Sequence, residues 1–533
     1  MKYGFIIDNR KCIGCHACTV ACKSEHDVPV GVNRTWVKQV EKGSFPDTRR
    51  LFSVMRCNHC TDAPCVEICP VEALHIRGDG IVDFDSDRCI GCKSCTQACP
   101  YDALYIDPNT HTAAKCNYCA HRIDVGLEPA CVNVCPEHAI ISGDMDDPAS
   151  EISQLLSTQR VTVRKPEKDT KPNLFYIEGD EASLTPAAAP KSDSYLWSQQ
   201  TGGVGHFAKY ADQKMQGMDL MAMAKELSGE SADTSPPKKR IDVIMENSRR
   251  VYDAPHKGTL WGWEVSAYVW TKAISTGTFL IAFLALVANW GNISEFNSWL
   301  ALGTGLVFLT LTGALLVKDL DKPSRFVYVL LRPQWRSWLV RGGYAITVYG
   351  GMLTLWALAK YWELSLLEDI ALWGGAIFAL LTAVYTAFLF AQAKGRDFWQ
   401  SPVLAFHMLG HSIMAGAAVF ALTALFTDSD QAWMTYLTHV LYISIGANLV
   451  MMLVELTITH PTADAKTTVK MIISGMYKRH FWIGAILLGN LIPLALLIIG
   501  GPIPIALAGI CVLAGIYFTE HIWVQAPQQL PLS

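Results

Sequence analysis

The sequence predicts an α+β, cysteine-rich domain followed by an all-α bundle of eight transmembrane helices. Three observations carry this expectation. Sixteen of the seventeen cysteines lie between Cys12 and Cys135. The 533 residues are 51% hydrophobic and only 17% charged, too long for one ordinary domain and too apolar for a soluble one. The apolar residues also recur after residue 258 in runs of about 20, long enough to cross a bilayer as helices.

The cysteines form four groups. Cys12, Cys15, Cys18 and Cys22 are spaced C-x2-C-x2-C-x3-C; Cys89, Cys92, Cys95 and Cys99 repeat this and end in Pro100. Cys57, Cys60, Cys65 and Cys69 widen the middle gap and close on Pro70, whereas in Cys116, Cys119, Cys131 and Cys135 that gap reaches eleven residues before Pro136. Three thiolates from one tight loop each reach a different iron of a cubane, and the fourth iron takes a sulfur from elsewhere; in two-cluster ferredoxins it comes from the other group. Gly14 and Gly91, between the first two ligands of their loops, let the backbone wrap closely. A zinc site of four cysteines is closed and has no use for this spacing, and a disulfide framework needs an oxidising compartment for which no signal peptide is visible.

Phe5-Ile6-Ile7, Ile81-Val82-Asp83-Phe84 and Ala103-Leu104-Tyr105-Ile106 flank the loops and read as small strands, so residues 1–180 are a ferredoxin-like module present twice. The second and third groups are adjacent and form the inner module. The first and fourth form the outer one, closed when the chain returns. Four [4Fe-4S] clusters follow, held by Cys12, Cys15, Cys18 with Cys135; Cys116, Cys119, Cys131 with Cys22; Cys57, Cys60, Cys65 with Cys99; and Cys89, Cys92, Cys95 with Cys69.

Residues 181–258 are a polar linker, rich in Pro, Ala, Ser and charge. Within it Met215, Met218, Met221, Met223 and Leu227 mark a candidate amphipathic helix, read first as packing along the cluster domain. Residues 259–533 hold eight apolar spans, at 265–289, 297–317, 339–359, 370–392, 402–426, 431–456, 480–500 and 503–524. Lysines and arginines crowd the loops on one side: Lys238 to Lys257 before the first span, Lys318 to Arg341 between the second and third, then Lys394, Arg396, Lys466, Lys470, Lys478 and Arg479. Positive loops stay inside, which places both termini and the cluster domain in the cytoplasm of a cell with a bacterial inner membrane. No twin-arginine signal precedes the cysteines, in keeping with this. The net charge of −4 says little about partners, and no basic, aromatic-laced surface stands out, so no nucleic-acid partner is expected.

Two stretches resemble known families. Cys57-Asn58-His59-Cys60 through Cys69-Pro70, Pro129-Ala130-Cys131 through Cys135-Pro136, and Lys171-Pro172-Asn173-Leu174-Phe175-Tyr176 are similar to the four-cluster subunits of the dimethyl sulfoxide and polysulfide reductase group. Trp261-Gly262-Trp263, Lys318-Asp319-Leu320-Asp321-Lys322-Pro323 and Arg332-Pro333 resemble the NrfD type of quinone-reactive anchor. The resemblance implies that a separate molybdopterin subunit does the substrate chemistry, that the clusters form a wire, and that the anchor exchanges electrons with menaquinone or ubiquinone. Here wire and anchor are fused, and the charge pattern places the clusters inside, as in sulfite-oxidising relatives. All sixteen ligand positions are cysteine, whereas some relatives replace one.

Ionisable residues inside a membrane are costly and mostly functional. Lys272, Asp319, His407 and His411, with Glu455, lie in the cytoplasmic part of the expected spans or on their loops, and form the candidate quinone site; snorkelling and interhelical hydrogen bonds are the competing readings. Haem is disfavoured, because His411 and His439 differ in depth by roughly 12 Å at 1.5 Å per residue; His407 and His480, closer in depth, keep it as a minor alternative. Cys511, alone in the last span, reads as a small buried apolar residue. Two further readings of the whole are a redox-driven ion-translocating module and a purely structural anchor without its own quinone site.

Overall fold

The computed structural model describes residues 1–533 except 45–46, 191–247, 256, 289–292, 424, 427–430, 459 and 461. The candidate helix carrying Met215 and Leu227 lies outside the described residues.

The chain's return to its start is built into the main sheet. Tyr3–Asp8 pairs antiparallel with Ile140–Asp144 and parallel with Leu174–Ile177, which in turn carries Val161–Thr162 at the edge. Phe5, Ile6 and Ile7 are fully buried there. The sheet therefore brings the first cysteine loop beside the fourth. The inner loops carry two small hairpins, Leu74–Ile76 with Val82–Phe84 and Tyr105–Ile106 with Ala113–Ala114. A longer hairpin, Thr35–Ser44 with Asp47–Arg56, separates the first two cysteine groups and packs Trp36, Val37, Val54 and Met55 over the outer module. Ser248–Tyr252, inside the stretch read as linker, adds a third antiparallel strand to that hairpin.

Eight long helices follow: Trp263–Val287, Glu295–Lys318, Trp338–Tyr361, Ser365–Gln392, Leu404–Thr423, Gln431–Thr457, His480–Ile499 and Pro502–Gln525. Among the described residues seven are long and apolar enough to cross a membrane. The third is the exception, because Arg341, Lys360, three tyrosines and four glycines dilute its apolar residues. In the seventh helix, His480–Leu491 is wound as a π-helix before Ile492–Ile499 resumes α geometry. Cys511 is half-buried rather than buried.

The first helix runs through the middle of the bundle, and small residues let its neighbours close on it. A Cβ on Gly277 would collide with the Ser412 carbonyl, and one on Gly416 with that of Gly277. Gly509 meets the fifth helix at the Ala418 carbonyl in the same way. Between lipid-embedded helices, such close approach replaces the hydrophobic driving force that water would supply.

One end of the bundle is clamped to the inner cysteine module. Arg325 Nη1 donates to the carbonyls of Ser86 (2.7 Å) and Cys89 (3.0 Å), Ser337 Oγ to Ile68 (2.7 Å), Gln334 N to Pro70 (3.0 Å) and Trp261 Nε1 to Cys92 (3.2 Å). Gln97 bonds Gln528 and accepts from Arg396, while Lys168 pairs with Asp397. Loop carbonyls left open around the cysteines are thus satisfied by helix-end side chains.

The Gly277–Gly416 crossing makes a direct prediction. Gly416→Leu should force the first and fifth helices apart and cost on the order of 3 kcal/mol, the upper part of the usual range for overpacking. A thermal unfolding midpoint of the detergent-purified protein equal to that of the unaltered chain would contradict it.

Candidate metal centres and the cavity beneath them

Each cysteine loop turns through backbone conformations that aim several groups inward. Gly14 (φ +72°) and Gly91 (φ +69°) are left-handed, and a Cβ on Gly91 would press on Asp321 and the His111 carbonyl. His16 and Lys93, next to the second cysteine of their loops, are also left-handed (both φ 61°). Amide groups point at the sulfurs: Gly91 N and Ala113 N at Cys89 (3.4 and 3.3 Å), His59 N at Cys57 (3.5 Å) and Ala139 N at Cys135 (3.2 Å). Donors so placed stabilise thiolates bound to iron.

Cys12, Cys15, Cys18 and Cys135 line one cavity of about 20 Å³, and Cys69, Cys89, Cys92 and Cys95 another of about 20 Å³. Burial pushes the Cys22 thiol up, and the thiols of Cys116, Cys131 and Cys119 push it further. Burial likewise raises Cys65, beside Cys99, Cys57 and Cys60. Four buried thiols facing one another resist ionisation by themselves; an iron-sulfur cluster supplies the positive charge that keeps such a set as thiolates. The donor set fits that cofactor.

Between the Cys92 loop and the helices lies a larger cavity of about 110 Å³. Its walls are almost wholly apolar, with Cys92, Tyr268, Asp319, Thr347 and Tyr385 among the exceptions. Asp319 follows the second helix; its carbonyl accepts from Lys93 Nζ at 2.8 Å, and its carboxylate lies 3.6 Å from the same ammonium. Burial pushes the Asp319 carboxyl up to about 7, and Lys93 opposes the rise.

The other residues singled out in the sequence lie behind this cavity. Lys272 is buried and donates to Thr386 Oγ1 (2.6 Å) and the Ala383 carbonyl (3.0 Å), its Nζ 4.8 Å from the centre of the Tyr385 ring. The rings of His407 and His411 pack 4.2 Å apart. His411 Nδ1 meets Glu520 Oε1 at 2.6 Å and its Nε2 meets Asn448 Oδ1 at 3.2 Å; Asn448 then donates to Asn490 (3.0 Å). His407 Nδ1 lies 3.3 Å from Glu455, which accepts from Trp523 Nε1 at 3.0 Å. Asp319 lines the cavity, Lys272 stands behind its Tyr385 wall, and the histidines belong to a deeper polar network. The ligand atoms of His407, His411 and Glu520 lie within 4.8 Å of one another. Within this trio His411 bonds Glu520, whereas neither ring nitrogen of His407 makes a hydrogen bond.

Glu520 escaped the sequence reading, although the rule that selected Lys272, an ionisable residue inside an apolar span, applies to it equally. Tyr268 and Tyr385 carried no such signal.

Residues 11–74 and 48–145 match 4Fe-4S dicluster domains, and residues 254–529 match the polysulphide reductase NrfD family. The N-terminal part is 44% identical over 202 residues to a tetrathionate reductase subunit of Salmonella typhimurium, covering 37% of this chain and 80% of that protein. It is 44% identical over 188 residues to a component of the polysulfide reductase of Wolinella succinogenes (34% and 97%) and 35% identical over 225 residues to the arsenate respiratory reductase iron-sulfur subunit of a Shewanella species (33% and 96%).

Proposed function

This protein belongs to the NrfD polysulphide reductase family, joined in one polypeptide to 4Fe-4S dicluster domains, and we propose that it links a molybdopterin catalytic subunit to the membrane quinone pool through four [4Fe-4S] clusters. As an iron-sulfur electron-transfer subunit with a membrane anchor it is multi-pass in the membrane. The observation that carries the finer reading is the apolar cavity lined by Cys92, Asp319 and residues of the membrane helices.

Bound clusters supply one-electron carriers; the protein holds them in line. The expected ligand sets are supported by which thiols act on one another, and so is their order. Cys18 feels Cys131, Cys57 feels Cys116, and Cys95 feels Cys65, so the sets run from Cys12/Cys15/Cys18/Cys135 through Cys22/Cys116/Cys119/Cys131 and Cys57/Cys60/Cys65/Cys99 to Cys69/Cys89/Cys92/Cys95. The first set lies at the surface, with Cys15 and Ile13 exposed, which suits docking of the catalytic subunit. The last set borders the cavity.

Quinone takes up two electrons and two protons. In the cavity its ring would lie among apolar residues next to Cys92, and Asp319, which titrates near neutrality, would exchange its protons with solvent. Lys272 holds Thr386 beside Tyr385 and so positions that wall. A second reading, in which the module also moves charge, is favoured by the buried chain of Glu520, His411, Asn448 and Asn490 beyond Lys272.

All eight helices cross the membrane in this proposal. The second helix ends at Lys93, the third begins beside Ile68 and the fourth ends beside Gln97, so the third and fourth must go out and return as a pair. Only residues 362–364 join them. The basic loops share the cluster side, which makes that side cytoplasmic, in the bacterial inner membrane.

Three outcomes test this function. Anaerobically purified protein should contain iron approaching sixteen per chain, the sum of four four-iron clusters; a value near half of that, or zinc in its place, contradicts the four-cluster reading. Reporters fused after Ser533 and near Asp428 should locate to the cytoplasm and the opposite side respectively, and the reverse pattern would turn the complex around. Gly343→Phe, at a cavity wall with room for a side chain, should slow cluster reoxidation by quinone about tenfold or more while cluster spectra stay intact. Unaltered reoxidation in that variant would move quinone elsewhere.

A further inference from the structure

Two cations buried inside the cluster domain lie against cysteines and have no carboxylate partner among the described residues. Arg56, which ends the strand Asp47–Arg56, is 0% exposed. Its Nη1 donates to Cys131 Sγ at 3.2 Å, its Nη2 to Thr35 Oγ1 at 3.2 Å, and its guanidinium stacks 4.4 Å from the Phe5 ring centre. Phe5, under this guanidinium, shares one core cluster with Cys18 and Cys131. Arg56 thus sits where the Cys12 set meets the Cys116 set.

Lys115 is also 0% exposed and occupies the next gap. Its Nζ donates to the carbonyls of Val82 and, at 2.9 Å, Cys116. Val82 N in turn donates to His59 Nδ1 at 3.2 Å, and His59 N points at Cys57 Sγ at 3.5 Å, so one strand residue joins the ammonium to the Cys57 loop. Lys115 therefore stands between the Cys116 set and the Cys57 set.

An unpaired buried charge costs several kcal/mol, so a chain keeps one only opposite a lasting charge of the other sign. The thiolate-ligated clusters are that charge: anionic in both oxidation states, and more so when reduced. A fixed cation nearby stabilises the reduced state more than the oxidised one, and net charge together with hydrogen bonds to sulfur sets the potential of such clusters. We propose that Arg56 and Lys115 raise the reduction potentials of the clusters on either side of them, making the interior of the wire easier to reduce than its membrane end. The inference rests on the ligand sets proposed above. In each step one cluster gains one electron from its neighbour, and the cations supply neither electron nor proton.

The test is a potentiometric titration of the whole protein, followed by electron paramagnetic resonance, with iron content measured alongside. Arg56→Met should lower two of the four couples, and Lys115→Met two, with one couple shared between them and one unmoved in both. Each shift should be at least a tenfold change in the reduced-to-oxidised ratio at fixed potential, which is about 59 mV for a one-electron couple. Arg56→Lys and Lys115→Arg, which keep the charge, should restore most of it. Iron near sixteen per chain with unmoved couples overturns the proposal while leaving the four-cluster reading in place; low iron in the unaltered protein overturns that reading instead. If both methionine variants lose iron and the charge-keeping variants retain it, the cations serve assembly rather than potential, and the proposal falls as well.

Discussion

The structure depends on how the inner cysteine loops are seated on the helix ends. Loops that wrap four sulfurs around one point have little regular secondary structure, so their carbonyls need partners from outside. Arg325, Gln334, Ser337 and Trp261 supply them from the bundle, at 2.7–3.2 Å. Each neutral bond contributes about 1 kcal/mol net, and those from Arg325 about twice that. The larger consequence is positional: the same seam places Cys92 and Asp319 in the lining of one cavity.

Below the seam the bundle meets a different constraint. Helices in lipid gain little from hiding apolar surface, and the first, fifth and eighth helices are drawn together by Gly277, Gly416 and Gly509 instead. That close approach leaves room for few polar groups, and some of those present are matched. His411 is held between Glu520 and Asn448, and Lys272 between Thr386 and the Ala383 carbonyl. Others are not: neither ring nitrogen of His407 makes a hydrogen bond despite the nearness of Glu455, and Ser266 Oγ, Thr382 Oγ1, Trp433 Nε1 and Glu455 Oε1 are likewise buried without one.

Inside the cluster domain the charge balance runs the other way. There the cations Arg56 and Lys115 are buried and the anions are the cofactor's own.

The sequence by itself determined the chemistry. Cysteine spacing marked every ligand group, glycines marked the tight loops, and hydropathy marked the helices, because each of these signals is local and repeats at a short interval. It also paired the first and fourth cysteine groups, since the second and third are adjacent and leave those two to close the outer module. The long hairpin Thr35–Ser44 with Asp47–Arg56 and the strand Ser248–Tyr252 went unread, as their pairing joins segments up to about two hundred residues apart, here Arg249 with Glu41. Only the tertiary structure decided which ionisable residues share a space. It set Asp319 against Cys92, moved His407 and His411 into a network with Glu520, and lodged Arg56 and Lys115 between sulfur sets. Such neighbours come from different helices and loops, and distance along the chain carries no record of distance across it.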